Sequence, residues 1–479
     1  YYLIIKKTVM ASRVKVKKQR VDTFAKKKIT EEVYTSVHSA SALKTESRIA
    51  ALNKDFKDPN SLRKLAGQIK QHTIDHLDHY LTQVESRLKE NGAEVHFAAD
   101  ANSANDLILK ILNESNAKKV VKSKSMATEE THLNAFLEEK DIEIVETDLG
   151  EFIVQLDEDH PSHIVTPIIH KNRDGIAKTF EKHGLGDYNS DPEVITRRAR
   201  VHLRDKYIEA DAAITGGNFI SAESGKLVLC TNEGNSRFSL AVPKLHIALV
   251  GIEKLVPKDR DLQIFLNLLA RSATGQQLTI YTEFIEGPRL KTQPDGPTQM
   301  HVILMDNGRS GILGTRFQDI LNCIRCGACL NICPVYRQAS GHGYRSVYPG
   351  PIGSVLTPLL AGENFEEYAD LPKACSVCGA CNDACPVDIP LPDLLLKLRD
   401  KAKIEKVHSP GTPPMKVWSV LASSPVAWKL SVSASNLANK IPLDMIPVPP
   451  LSDWMQSRTL PEFRGGSFRR WMKDRQNNR

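Results

Sequence analysis

Apolar residues recur near every 3.6 positions across residues 61–90, where Leu62, Leu65, Ile69, Ile74, Leu77, Leu81, Val84 and Leu88 mark one helix face, with a break expected around 71–73. Residues 11–92 as a whole read as helical. Short apolar runs then alternate with amphipathic segments: strand over 93–98, helix over 104–113, strand over 119–122, helix over 128–139, strand over 142–146. That alternation predicts a parallel sheet covered by helices. Further strands are expected at 163–166, 212–215, 226–230, 246–251 and 300–305, with helical spacing over 262–269. This α/β pattern ends near Gly314. From Thr315 it gives way to cysteine clusters, prolines and short helices, and after about Lys403 to a proline-punctuated stretch that reads as an extended arm.

The length of 479 residues allows two to four domains, and 41% hydrophobic with 25% charged residues is an ordinary globular balance. The expected division is a basic, partly disordered N-terminal arm (1–60), an α/β domain with a helical lead-in (61–314), an α-helical cysteine-rich domain (315–403) and a C-terminal arm (404–479). The longest run without Asp, Glu, Lys or Arg, residues 346–362, carries three prolines and three glycines, so no transmembrane span is expected. The apolar run at residues 1–5 precedes Lys6 and Lys7 instead of following them, which is the wrong order for an export signal, and a cytoplasmic location is expected. Met10 is a candidate start.

The formal net charge of +7 is unevenly spread: residues 1–28 hold ten Lys or Arg against Asp22 alone, whereas residues 29–457 hold 47 basic and 54 acidic residues. A basic terminus suits peripheral contact with anionic lipid, or simply a solvated tail. With an acidic body, no nucleic-acid partner is expected.

Eight of the nine cysteines fall within 63 residues. Cys323, Cys326, Cys329 and Cys333 precede Pro334, and Cys375, Cys378, Cys381 and Cys385 precede Pro386, so C-x2-C-x2-C-x3-C-P occurs twice. In this spacing three thiolates wrap one [4Fe-4S] cube and the fourth reaches a second. Cys323, Cys326, Cys329 and Cys385 are therefore expected to hold one cluster, and Cys375, Cys378, Cys381 and Cys333 the other. Structural zinc is the rival, but it favours two CxxC pairs at a single tetrahedral site. Gly327 and Gly379 lie inside the wraps, where a side chain would obstruct the sulfides. The 41 residues between the motifs, with Gly341, His342, Gly343 and Tyr344, suit a cluster cover, a docking loop, a quinone pocket or a packed connection.

Neither a G-x-G-x-x-G nor a P-loop fingerprint occurs. Lys122, Ser123, Lys124 and Ser125 lead from a strand into a helix that Thr128 is placed to cap, an arrangement that suits a carboxylate or phosphate as well as an ordinary surface cap. Glu223 and Glu233 flank the strand carrying Cys230 and are secondary site candidates beside hairpin-type turn residues; Cys230 itself reads as buried apolar filler.

The segments KSKSMATEE, VETDLGEFIVQL, PSHIVTPIIHK, SGKLVLCTNEGNSR, CIRCGACLNICPVYR and CSVCGACNDACPVDIPLP closely resemble LutB/LldF-type lactate-utilisation iron-sulfur proteins, over residues from about 60 to about 400. The resemblance implies a LUD domain of the NagB/RpiA/CoA-transferase group followed by a two-[4Fe-4S] ferredoxin-like domain. It implies an electron-transfer subunit of a complex oxidising L-lactate to pyruvate, with a CCG-domain cysteine-rich subunit and a second LUD-domain protein as partners, and any flavin on a partner. An iron-sulfur metabolite-binding or regulatory protein, a relay for another 2-hydroxy acid, and a self-sufficient dehydrogenase are the alternatives.

Overall fold

The computed structural model describes residues 29–405, 407, 412–438 and 467–477. Residues 29–407 form one compact unit. At its centre six parallel strands run in the order β1 (Glu94–Ala98), β10 (Gln299–Met305), β7 (Leu245–Gly251), β4 (Ala212–Thr215), β2 (Lys119–Lys122), β3 (Glu143–Glu146). Every position of β4 and β7 is buried, because helices cover both faces. A second sheet orders β8 (Leu255–Val256), β5 (Phe219–Ser221), β6 (Leu227–Thr231) and β9 (Tyr281–Ile285), with β5 and β6 antiparallel neighbours.

Local chemistry moves several expected boundaries. The 61–90 periodicity is two helices, Pro59–Asp75 and Leu77–Glu90, separated at His76 and not at 71–73. The helix expected over 128–139 is two short ones, Met126–Glu130 and Leu133–Glu138, broken where His132 turns left-handed (φ 51). Its cap is Ser125, whose Oγ accepts from Thr128 N at 3.3 Å, and not Thr128. Residues 163–166 are not a strand: Val165 N and Thr166 N both donate to His163 Nδ1, at 2.9 and 3.2 Å, so the amides that would feed a ladder close on one ring. After β6, Gly234 (φ 70) opens the helix Asn235–Ala241, so only the β5–β6 connection is a hairpin.

Residues 315–405 are short helices packed on this body. One apolar core joins Phe219, Phe265 and Leu268 to Leu330, Tyr336, Val355, Leu394 and six of the clustered cysteines, so the boundary expected at 314/315 runs through shared packing. Part of the expected N-terminal arm also belongs to this body: the helix Glu31–Asp55, capped by Thr30, buries Val37, Ser41, Arg48 and Leu52. Arg48 donates to Ala384 O at 2.9 Å, which ties the helix to the second cysteine motif. Residues 1–28 lie outside the described residues.

Residues 408–479 form a second unit. Its described parts are helical, Thr412–Ser423, Pro425–Ala438 and Ser467–Asn477, and not the extended arm expected. Pro413, Pro414 and Pro425 stand in first turns, where a missing N–H costs nothing, and Pro410, Pro442, Pro447, Pro449 and Pro450 lie outside the described residues. Trp418 and Trp428 meet edge to face at 6.5 Å between the first two helices. Among the described residues no helix is long and apolar enough to cross a membrane.

Candidate functional site

The two cysteine motifs fold alike. Gly327 (φ 75) and Gly379 (φ 84) each turn the chain into a one-turn helix, Ala328–Ile332 and Ala380–Ala384, that presents Cys329 and Cys381. The residues before the second cysteines, Arg325 (φ 61) and Val377 (φ 55), are both left-handed, an uncommon conformation that aims successive amides inward. Arg325 N donates to Cys323 Sγ at 3.4 Å, Val377 N to Cys375 Sγ at 3.2 Å, Tyr336 N to Cys333 Sγ at 3.5 Å and Ile389 N to Cys385 Sγ at 3.4 Å.

The motifs exchange their fourth members. Cys323, Cys326, Cys329 and Cys385 line one small apolar cavity with Ile164, Ile324, Ile352 and Ile389. Cys333 instead interacts with Cys375 and Cys378, and Cys381 with all three. Burial pushes the Cys326 and Cys381 thiols up to about 12, and neighbouring cysteines add to it. Burial likewise raises Cys329 and Cys385 in this apolar cavity, so the donor set calls for a cationic iron-sulfur core, whose charge would hold the sulfurs as thiolates.

The two sets differ in their surroundings. All four sulfur residues of the first are buried; in the second Cys378 is exposed and Cys375 half-buried. Beside the first set, buried Arg325 pairs with Glu253 at 3.0 Å, Glu253 also pairs with Arg309, and Arg309 reaches Glu130 at 2.7 Å, which accepts from the Tyr348 hydroxyl. Burial opposes the Glu253 charge, but Arg309 and Arg325 outweigh it and hold the carboxyl well below the usual range. Lys254, brought down to about 8 by burial and Arg325, and Lys70, brought down to about 7 by burial, also lie within electrostatic reach of Cys323.

The residues expected to hold an anion separate. Lys122 is fully buried, with Nζ 2.8 Å from Glu146, 3.5 Å from Glu129 and 3.9 Å from Glu151. Burial opposes its charge and these carboxylates restore it, so Lys122 is already neutralised and is no anion subsite. Ser123 is buried with its amide on Ile214 O, and Ser125 caps a helix. Glu223 caps the helix Asp259–Thr274, accepting from Asp259 N at 2.8 Å, and the structure does not bring it to the lysines. Glu233 is in electrostatic contact with Lys124; it accepts from Leu149 N at 2.8 Å and is pushed up to about 7 by burial and by Asp148.

Lys124 has no ion-pair partner among the described residues, and it faces a residue that sequence reasoning missed, Lys44. Lys44 donates to Thr166 Oγ1 at 3.0 Å and is lowered to about 8 by burial and by Lys124. Thr166 N donates to His163 Nδ1, so the ring proton sits on Nε2, which donates to Asn331 Oδ1 at 3.1 Å. A Cβ on Gly327 would stand 2.9 Å from His163 Cε1. Lys44 is thus linked through Thr166 and His163 to the wrap of the first cysteine motif. The partly desolvated Lys44 ammonium beside Lys124, neither of them in a direct ion pair among the described residues, can hold an anion there.

In chain order, the LUD domain family matches residues 81–305, the 4Fe-4S dicluster domain family residues 319–389 and the family "Lactate utilisation protein B, C-terminal" residues 408–477. Lactate utilization protein B of Shouchella clausii is 46% identical over 426 residues, covering 86% of this chain and 88% of its own. An electron transport protein of Escherichia coli, YkgF, described as uncharacterized, is 40% identical over 470 residues, covering 95% and 97%. A crystal structure of a DUF162 family protein from Deinococcus radiodurans aligns with 48% of this chain and 98% of its own, at 16% identity and a TM-score of 0.28. With iron-sulfur ligation in its second region and such relatives along most of its length, the chain belongs to the lactate utilisation protein B family.

Proposed function

We propose that the chain is the iron-sulfur electron-transfer subunit of a complex that oxidises L-lactate to pyruvate. Two [4Fe-4S] clusters are assigned, the first to Cys323, Cys326, Cys329 and Cys385, the second to Cys375, Cys378, Cys381 and Cys333. The observation that carries the reading is the graded burial of the two cross-paired sets: the first lies against the α/β region, and the second reaches the surface at Cys378. Bound clusters supply one-electron transfer. The protein's own groups enclose the first, polarise the sulfurs of both through four amides, and keep Arg325 beside Cys323.

Lactate oxidation releases two electrons, so a two-electron cofactor, a flavin in this reading, belongs to a partner. The partners are a CCG-domain cysteine-rich subunit and a second LUD-domain protein, docking over exposed Cys378 and Val377. Lys44 and Lys124 would receive a 2-hydroxy or 2-oxo carboxylate. The test is anaerobic reconstitution. The cluster-loaded chain alone should accept electrons from dithionite but not from L-lactate, and adding the partners should restore lactate-linked reduction. Turnover of lactate by the single chain would overturn the relay reading.

A further inference from the structure

The segment between the cysteine motifs meets the α/β region at a place the relay does not use. There a ring nitrogen each of His170 and His342 and a carboxylate oxygen of Asp159 lie within 4.8 Å of one another. His170 Nε2 is 3.0 Å from Asp159 Oδ2, His342 Nε2 is 3.9 Å from Asp159 Oδ1, and the two rings meet at 4.5 Å. His170 is 6% exposed, and its Nδ1 is buried with no partner. We propose that Asp159, His170 and His342 form a divalent metal site of the zinc type, joining the 157–172 loop to the segment between the cysteine motifs.

Two imidazoles and one carboxylate with a fourth position left over is the donor set of a borderline ion. Calcium and magnesium prefer all-oxygen shells, and copper(I) prefers sulfur. A tetrahedral zinc with bonds of about 2.0–2.1 Å holds its ligands about 3.3 Å apart, so the triad closes by a small side-chain rotation. The surrounding contacts are compatible with that closure. Lys171 Nζ is 2.8 Å from Asp157 and 3.4 Å from Asp159 Oδ2, so its main carboxylate is Asp157. His160 N donates to Asp159 Oδ1, and His342 Nε2 exchanges its 2.7 Å bond to His160 O for the metal.

The frame is already fixed: Gly341 N donates to Ser162 Oγ at 3.0 Å, the Tyr336 hydroxyl donates to Ser162 O at 2.8 Å, and a Cβ on Gly341 would fall 1.9 Å from that carbonyl. Two chain segments approach here too closely for any side chain, which brings His342 to Asp159.

The test uses the full, cluster-loaded chain with zinc alone as the probe. Wild type should bind one zinc per chain, with iron content unchanged and an X-ray absorption shell of nitrogen and oxygen at about 2.0 Å. Asp159→Asn and His342→Gln should each weaken zinc binding at least tenfold while keeping the cluster absorbance. Equal zinc affinity in wild type and variants, or a sulfur shell at about 2.3 Å from cysteine capture, would overturn the proposal. If both variants lose their clusters, the wild-type absorption shell decides alone.

Discussion

The two cysteine motifs share spacing, glycine position, left-handed residues and sulfur-directed amides, yet one is enclosed by the α/β region and the other lies at the surface. Beside the first stand Arg325, Glu253 and Arg309 in a buried ionic chain. At Cys385, the member of the second motif that joins the first set, Arg63 pairs with the part-exposed Asp388 at 3.2 Å. Spacing determines what a motif can hold, whereas its surroundings determine what it exchanges electrons with. In the proposed relay the buried set would face a metabolite and the surface set a protein.

Breaking a buried and a part-exposed ionic partner should show most strongly how enclosure changes the surroundings of the cysteines. Glu253→Ala leaves the buried Arg325 without its carboxylate and Arg309 with Glu130 alone, and should cost about 3–5 kcal/mol in denaturant unfolding. Asp388→Asn should cost less than about 1 kcal/mol. Similar losses for the two would remove the contrast.

The anion pocket sharpens the comparison on the buried side alone. Lys44→Met should weaken L-lactate or pyruvate binding roughly tenfold or more, read by calorimetry, because a charge-assisted hydrogen bond of about 1.5–3 kcal/mol is lost. Since Lys44 is brought down to about 8, wild-type affinity should fall above pH 8 by up to tenfold per unit as the ammonium deprotonates. The same depression makes the unfolded chain the stronger proton binder between pH 8 and the ordinary lysine range of about 10.5, so this residue's contribution to stability rises with pH there. Binding by Lys44→Met that keeps the wild-type pH profile would clear Lys44 of the role.

The smallest contrast is steric. Gly379→Ala meets nothing within 4 Å and should cost only the left-handed strain of about 1–2 kcal/mol. Gly327→Ala adds the 2.9 Å approach to His163 and should cost measurably more by the same unfolding assay.

What the sequence shows is what depends on near neighbours along the chain. The cysteine wraps follow from residue spacing, and β2, β4, β7 and β10 follow from short apolar runs. The burial of Lys122 was not legible, because its carboxylates come from Glu129, Glu146 and Glu151 on separate elements. Lys44 reaches Thr166 across 122 positions, which no local pattern announces. Residues 163–166 carry apolar spacing that resembles a strand, and only the inward turn of two amides onto His163 shows otherwise. Pro413 and Pro414 look like chain breaks in the sequence, although a first helical turn accommodates them equally well.

The central claim is that the motifs exchange their fourth ligand and so hold two unlike clusters side by side. The direct measurement is electron paramagnetic resonance with iron analysis on Cys333→Ser, beside Cys326→Ser and Cys378→Ser as references. The account predicts that Cys333→Ser loses up to half of about eight irons and that its reduced spectrum coincides with that of Cys378→Ser. A Cys333→Ser spectrum matching Cys326→Ser would contradict it, because Cys333 would then ligate within its own motif.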